Sequence, residues 1–245
     1  MRKGQTRRVP LVELAHRRWP GWDPIAIESA ISAGEVVVEG RILTNPAAQV
    51  PLDAPLRHAP PARLAGAGKL GWAISHFGVP AAGLVALDVG ACTGGFTTAW
   101  LEAGARRVYA VDAGHGQLLG SLRADPRVVN LERTNVADLS PALVPEPVDV
   151  VSVDVSYLAL RAAVAQLGRL PFPPDAVLLG LVKPMFELRL ATIPSDPATL
   201  DRARDEAAAG IAAAGWEVLD AVESPVRGGR GAIEFFVHAR RRSLR

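Results

Sequence analysis

Residues 86–117, ALDVGACTGGFTTAWLEAGARRVYAVDAGHGQ, decide the fold. Leu84 to Leu87 is a short apolar run, as a buried strand requires. A turn crowded with Asp88, Gly90, Gly94 and Gly95 follows it. Phe96 to Ala103 carries helical spacing and Gly104 stops it. Val108 to Val111 is a second apolar strand, closed by Asp112. Glycines let a backbone approach a ligand closely, and a carboxylate at the second strand's tip can grip ribose hydroxyls. The unit reads as a site for a nucleoside cofactor.

The glycine spacing selects among cofactors. A dinucleotide fold uses G-x-G-x-x-G, with the pyrophosphate on the helix N-terminus. Here the spacing is Gly90-x-x-x-Gly94-Gly95 with Asp88 ahead, and no Gly-Lys-Ser/Thr follows. An acid before the loop suits a cofactor with a cationic amino-acid part and no phosphates. S-adenosyl-L-methionine fits, its methionine part toward Gly90 and its ribose on Asp112. Thr93 and Phe96 complete the loop. Asn135, after the third strand, bounds the adenine pocket or is an ordinary turn residue.

The chain of 245 residues is long enough for one large or two unequal domains, and 49% apolar content permits a substantial core. A single cysteine, Cys92, excludes a disulfide framework, and the five histidines lack metal spacing. Cys92 reads as a small loop residue, since no histidine accompanies it as a base. With no apolar run near 18 residues and no apolar signal segment, the expectation is a soluble, cytoplasmic protein without a membrane or an obligate protein partner. The net charge of +2 hides an asymmetry. Residues 1–20 and residues 227–245 each carry +5, which leaves −8 on the body. Basic ends on an acidic body point to a localised polyanion contact, with Arg7, Arg8, Arg17, Arg18, Arg227 and Arg230 as candidate RNA contacts.

Residues 1–57 read as a small α+β module. Leu11 to Arg18 is a helix; Asp23-Pro24 caps and starts a second, which stops at Gly34 with Ile27 and Ile31 on one face. Glu35 to Leu43 reads as a hairpin turning near Gly40. Pro51 to Pro61, with four prolines, reads as a linker; the boundaries taken are a linker over 58–68 and a second domain over 69–245. Beyond it the pattern is α/β. Val128 to Leu131, Val148 to Val155 and Ala176 to Val182 are strands, and Tyr157 to Leu167 and Pro197 to Ala214 are helices. Trp216 to Val222 and Ala232 to Ala239 form a final antiparallel pair. The expected architecture is a Rossmann-like, doubly wound α/β sheet with its ligand at the C-terminal strand ends.

Asp154, Lys183 and Glu234 are placed where strands should end, where charged residues are rarely core filler. DVGACTGGFT, DVSYL, LVKPMFE and SPVRGGRGAIEFF together resemble the TlyA/hemolysin-A-like family of rRNA 2′-O-methyltransferases, within the FtsJ-like ribose methyltransferases. The resemblance implies a Lys-Asp-Lys-Glu catalytic tetrad at Lys69, Asp154, Lys183 and Glu234, S-adenosyl-L-methionine as cofactor, rRNA as partner and an S-four-type RNA-binding domain at the N-terminus. A ribose hydroxyl is a poor nucleophile, so a lysine held neutral by burial or by a second cation would take its proton. Two alternatives stand beside this reading: a catalytically silent RNA-binding homologue, and a membrane-active haemolysin.

Overall fold

The computed structural model describes residues 7–58 and 64–242. In the small module, β1 (Arg8–Pro10) pairs with β4 (Gln49–Pro51), and β2 (Val36–Val38) lies between β3 (Arg41–Ile42) and β5 (Leu56–His58). Helices α1 (Leu11–Arg18) and α2 (Pro24–Ser32) close its core over Leu11, Leu14, Ile27, Ile31, Val36 and Val50. Asp23 caps α2 through Ile25 N–H, and Pro24 opens it, as the sequence predicts. The hairpin at Gly40 forms with Val38 opposite Arg41.

The proline-rich stretch is a correction. Pro51 ends β4 opposite Arg8, and β5 pairs with β2 with His58 opposite Val36. Pro55 lies in the turn between them, where no N–H is needed, and its carbonyl accepts from Glu39 N–H. Residues 65–68, assigned to the linker, are the first turn of α3 (Ala65–Phe77). Linker residues 59–63 lie outside the described residues. α3 escapes sequence reading because Gly66, Gly68 and Gly71 lower its intrinsic propensity.

The second unit carries β6 (Val85–Val89), α4 (Gly95–Glu102), β7 (Arg107–Asp112), α5 (Gly120–Ala124), β8 (Val128–Glu132), β9 (Val150–Val153), α6 (Leu160–Gln166), β10 (Val177–Val182), α7 (Pro184–Glu187), α8 (Pro197–Ala213), β11 (Trp216–Glu223) and β12 (Phe235–Arg241). One seven-stranded sheet has the order β11-β12-β10-β9-β6-β7-β8. β12 runs antiparallel to its neighbours and the other pairs are parallel. The order reverses between β6 and β9, which opens the crevice where such sheets bind ligands. Alternate residues face opposite layers. Val85, Leu87 and Val89 meet the core that includes Leu160, Val164, Leu200 and Ile211, whereas Ala86 meets Leu70, Phe96 and Trp100.

α3 and α4 cross at glycines. A Cβ built on Gly95 would lie 2.9 Å from the Gly66 Cα, which only backbone movement would relieve. Gly95→Ala should therefore lower stability by roughly 1–3 kcal/mol. Urea unfolding at constant m-value measures it; an unchanged midpoint would show that the helices are not in van der Waals contact there.

Candidate active site

Lys69 emerges from the second turn of α3, almost wholly buried, and its Nζ lies 2.5 Å from Glu234 Oε2. Glu234 does not end a strand, as its place in the apolar run suggested. It immediately precedes β12, and because β12 is antiparallel, the start of that strand lies at the C-terminal end of β10. Val182 faces Phe235, so Lys183 and Glu234 leave the sheet side by side. Lys183 Nζ lies 2.5 Å from Asp154 Oδ1 and donates to Ser156 Oγ at 2.6 Å. The contact with Asp154 is a charge pair without hydrogen-bond alignment. A cavity of about 400 Å³, lined by Ser156, Lys183, Phe186, Arg230, Ile233 and Glu234 among others, opens on these groups. The four tetrad residues thus form two lysine–carboxylate pairs at one edge of the crevice.

The glycine loop joins this centre to the strand-tip acid. Gly90 has φ +91°, and a Cβ there would strike the Asp154 carbonyl oxygen at 2.1 Å. Only glycine lets the end of β6 rest on the end of β9. Asp112 Oδ2 accepts from Cys92 N–H at 2.8 Å and Oδ1 accepts from Gly114 N–H at 2.7 Å. Each oxygen keeps a lone pair, and the residue is partly open to solvent. Thr93 is partly buried in the loop, Phe96 is buried under it, and Asn135 is exposed before the short turn at Val136–Asp138. Cys92 also has a positive φ of 48°. Desolvation first, and then Asp112 and Asp154, push its thiol above the usual range although the residue reaches solvent, which suits a loop residue better than a nucleophile.

Asp88 is a correction. Its side chain is fully buried and does not face the crevice. It lies on the even face of β6, toward α4, where Oδ2 accepts from Thr97 Oγ1 at 2.7 Å and Oδ1 from Ser152 Oγ at 3.0 Å. Trp100 Nε1 donates to the same serine at 2.9 Å, so the acid pins α4 to the sheet. Burial, partly offset by these hydrogen bonds and reinforced by the charge of Asp154, raises its carboxyl from 3.8 to about 7.

The candidate RNA arginines do not form one cluster. Arg7, Arg8, Arg17 and Arg18 are exposed on the small module; Arg8 donates to the Gln49 carbonyl and Arg17 pairs with Glu13 at 2.7 Å. Arg227 pairs with Glu223 at 3.0 Å, whereas Arg230 joins the tetrad at the cavity. Two structural partners of the site escaped sequence reading. Ser156 orients Lys183, and its signal was the DVSYL motif. Glu187, fully buried, caps α6 through Leu160 N–H at 2.6 Å and pairs with Arg161, which is why that helix begins at Leu160 and not at Tyr157.

A reversing parallel sheet with one antiparallel strand, a glycine loop at the reversal and an acid at the next strand tip define the S-adenosylmethionine-dependent methyltransferase fold. At 21% identity and a TM-score of 0.52, the chain shares this fold with a 1,6-didemethyltoxoflavin-N1-methyltransferase from Burkholderia thailandensis, over 74% of this chain and 80% of that one. Residues 63–241 match the model of the FtsJ-like methyltransferases, and the chain belongs to that family. It is 37% identical over 219 residues to the 16S/23S rRNA (cytidine-2'-O)-methyltransferase TlyA of Mycobacterium tuberculosis (strain ATCC 25618 / H37Rv), covering 86% of this chain and 81% of that protein. It is 32% identical to Hemolysin A of Brachyspira hyodysenteriae over 69% of this chain and 73% of that protein. A solved structure from Streptococcus thermophilus, provisionally named a hemolysin, aligns with a TM-score of 0.70 at 27% identity, over 98% of this chain and 90% of that one.

Asp88 has a pH signature. The native carboxyl holds its proton to higher pH than the unfolded one. Its contribution to stability is therefore complete below about pH 4 and lost as pH rises to about 7. Asp88→Asn should flatten the stability–pH curve across that window, a change of a few kcal/mol in urea midpoint experiments. A variant curve parallel to the wild type would mean that the carboxyl is ionised throughout.

Proposed function

We propose that the chain methylates a ribose 2′ oxygen of rRNA, with S-adenosylmethionine as donor. The observation that carries this reading is the pair of lysine–carboxylate couples at one cavity, next to the glycine loop and Asp112. The crevice suits the donor chemically. Asp112 offers open lone pairs to ribose hydroxyls, and the negative charge of Asp112 and Asp154 suits a cationic amino acid and sulfonium. When bound, the cofactor supplies an electrophilic methyl group that leaves sulfur for oxygen.

The residues divide the remaining work. Lys183 is the proposed acceptor of the 2′-OH proton as the oxygen attacks, and Asp154 and Ser156 hold its amine in place. Lys69, fixed on Glu234, places a second cation near the developing oxygen charge. Arg230, on the same cavity, contacts a substrate phosphate. Cytidine is the nucleotide that the TlyA relatives' names favour. The small module, with Arg7, Arg17 and Arg18 exposed, is the proposed RNA-binding domain. Among the described residues no helix is long and apolar enough to cross a membrane, which gives the haemolysin reading no support from the helices.

Lys183→Arg should lose methyl transfer to ribosomal RNA almost completely while binding S-adenosylmethionine normally, because guanidinium stays protonated at any usable pH. Tritiated-methyl transfer onto ribosomes, separated subunits and free rRNA measures it, and the product should resist alkaline cleavage at the modified position. Near-normal turnover of the arginine variant would remove the base role, and a base-methylated nucleoside in the digest would remove the reaction class.

The triple replacement of Arg7, Arg17 and Arg18 by Ala should weaken RNA binding and reduce the salt slope by up to about 3, since each lost phosphate contact releases about one counterion fewer. Filter binding across a salt series reads both quantities. An unchanged slope would assign the polyanion contact to another surface.

A further inference from the structure

Thr44 belongs to the small module, yet its side chain is buried against the methyltransferase domain. Its hydroxyl oxygen lies 3.0, 3.1 and 3.3 Å from the carbonyl oxygens of Gly116, Gln117 and Leu118. Three successive carbonyls converge on a hydroxyl with a single proton to donate. Carbonyl dipoles so aligned repel one another, and the donor at their focus offsets that repulsion. The contact has neighbours: Asn45 packs on Gly116, and Ser32 packs on Gly120 so closely that a Cβ on Gly120 would lie 2.9 Å from the serine Cβ.

The turn held in this way is a wall of the proposed cofactor site. It follows Asp112 in the chain and leads into α5. Its Gln117 and Leu118 N–H groups donate to Glu132 Oε1 at 2.7 and 3.2 Å. Cys92 Sγ, in the glycine loop, lies 3.3 Å from Gln117 Oε1, and Leu119 N–H donates to the Thr93 carbonyl at 3.3 Å. Leu118 and Leu122 fill the space beside Gly94, where a Cβ would lie 2.9 and 2.1 Å from their methyl groups. A shift of residues 116–118 is thus passed to both the glycine loop and the Asp112 strand tip.

We propose that Thr44 is a positioning residue for the methyl-donor site: through its hydroxyl, the small module holds the 116–118 turn in the form that accepts the cofactor. The proposal rests on the reading that this crevice binds S-adenosylmethionine. It makes the module part of the cofactor site as well as a candidate RNA contact.

Thr44→Val keeps the shape and removes the donor, and Thr44→Ser restores it. In calorimetry on the full chain, Thr44→Val should raise the S-adenosylmethionine dissociation constant about tenfold, as loss of one donor to buried acceptors implies. It should raise KM for the cofactor alike, leave kcat at saturating cofactor nearly unchanged, and be rescued by Thr44→Ser. Gly120→Ala crowds the neighbouring contact with Ser32, between the same module and the exit of the same turn, and should weaken cofactor binding in the same direction; if Thr44→Val does not fold, folded Gly120→Ala protein with wild-type cofactor affinity overturns the proposal. Folded Thr44→Val protein with wild-type cofactor affinity would overturn this proposal alone. A wild-type protein that binds no S-adenosylmethionine would overturn the functional reading together with it.

Discussion

The ion pair between Lys69 and Glu234 joins residues 165 positions apart across the methyltransferase domain. Both side chains are nearly buried, so neither charge has bulk water as an alternative partner. Removing one member of such a pair leaves an uncompensated buried charge and costs about 3–5 kcal/mol. The first helix of the domain and its last strand are therefore committed to one relative position. The close crossing of α3 and α4 at Gly66 and Gly95 lets α3 come near enough to form the pair. Gly228 lies against the other carboxylate oxygen, where any Cβ would meet Oε1 at 2.1 Å, and the Glu234 carbonyl is held by Ser224 N–H. The Glu234 carboxylate is fixed here by backbone on one side and an ammonium on the other.

Antiparallel insertion of the last strand does the rest. A wholly parallel sheet would end every strand at the crevice with its C-terminus. β12 instead presents its N-terminal end there, so a residue that precedes the strand reaches the same edge as Lys183 and Asp154, which follow theirs. The site thus draws on α3, β9, β10 and β12, and its geometry is set by sheet register more than by any loop. Rigid elements hold catalytic groups more precisely than loops do.

Much of this was legible because its signals are local. The β6–α4–β7 unit, the capped helix at Asp23, the helix that opens at Pro197 and the hairpin at Gly40 are written in short stretches of sequence, and each formed. The failures share another cause. Asp88 stands beside the glycine loop in sequence, but strand alternation turns it toward Thr97 and Ser152, and only the packing of α4 decides that. Glu234 read as a strand end because strand polarity within the sheet is not a local property. α3 has three glycines and a weak propensity; its helix is stabilised by the contact with α4. The proline-rich stretch holds a strand because β2 offered an open edge for residues 56–58. Thr44 has no local signal at all, since its partners lie more than 70 residues on.

The distribution of charge gives these contacts a direction. The crevice is bordered by Asp112 and Asp154, while basic residues gather toward the two ends of the chain. A polyanion is repelled from the carboxylate side of the crevice and drawn to the module and to Arg230. In the proposed function the donor side would favour a cation and the acceptor side phosphate, so the two reactants would sort by charge before any specific contact formed. The small module sits between these tasks. Its outer face carries exposed arginines, and its inner face reaches the turn that follows Asp112 through Thr44. A rearrangement of the module on binding a polyanion would be felt first at the carbonyls of residues 116–118, and then at the strand-tip acid two residues before that turn's nearest anchor, Gly114. In the proposed reading, charge sorting and cofactor positioning therefore meet at the interdomain contacts around Thr44.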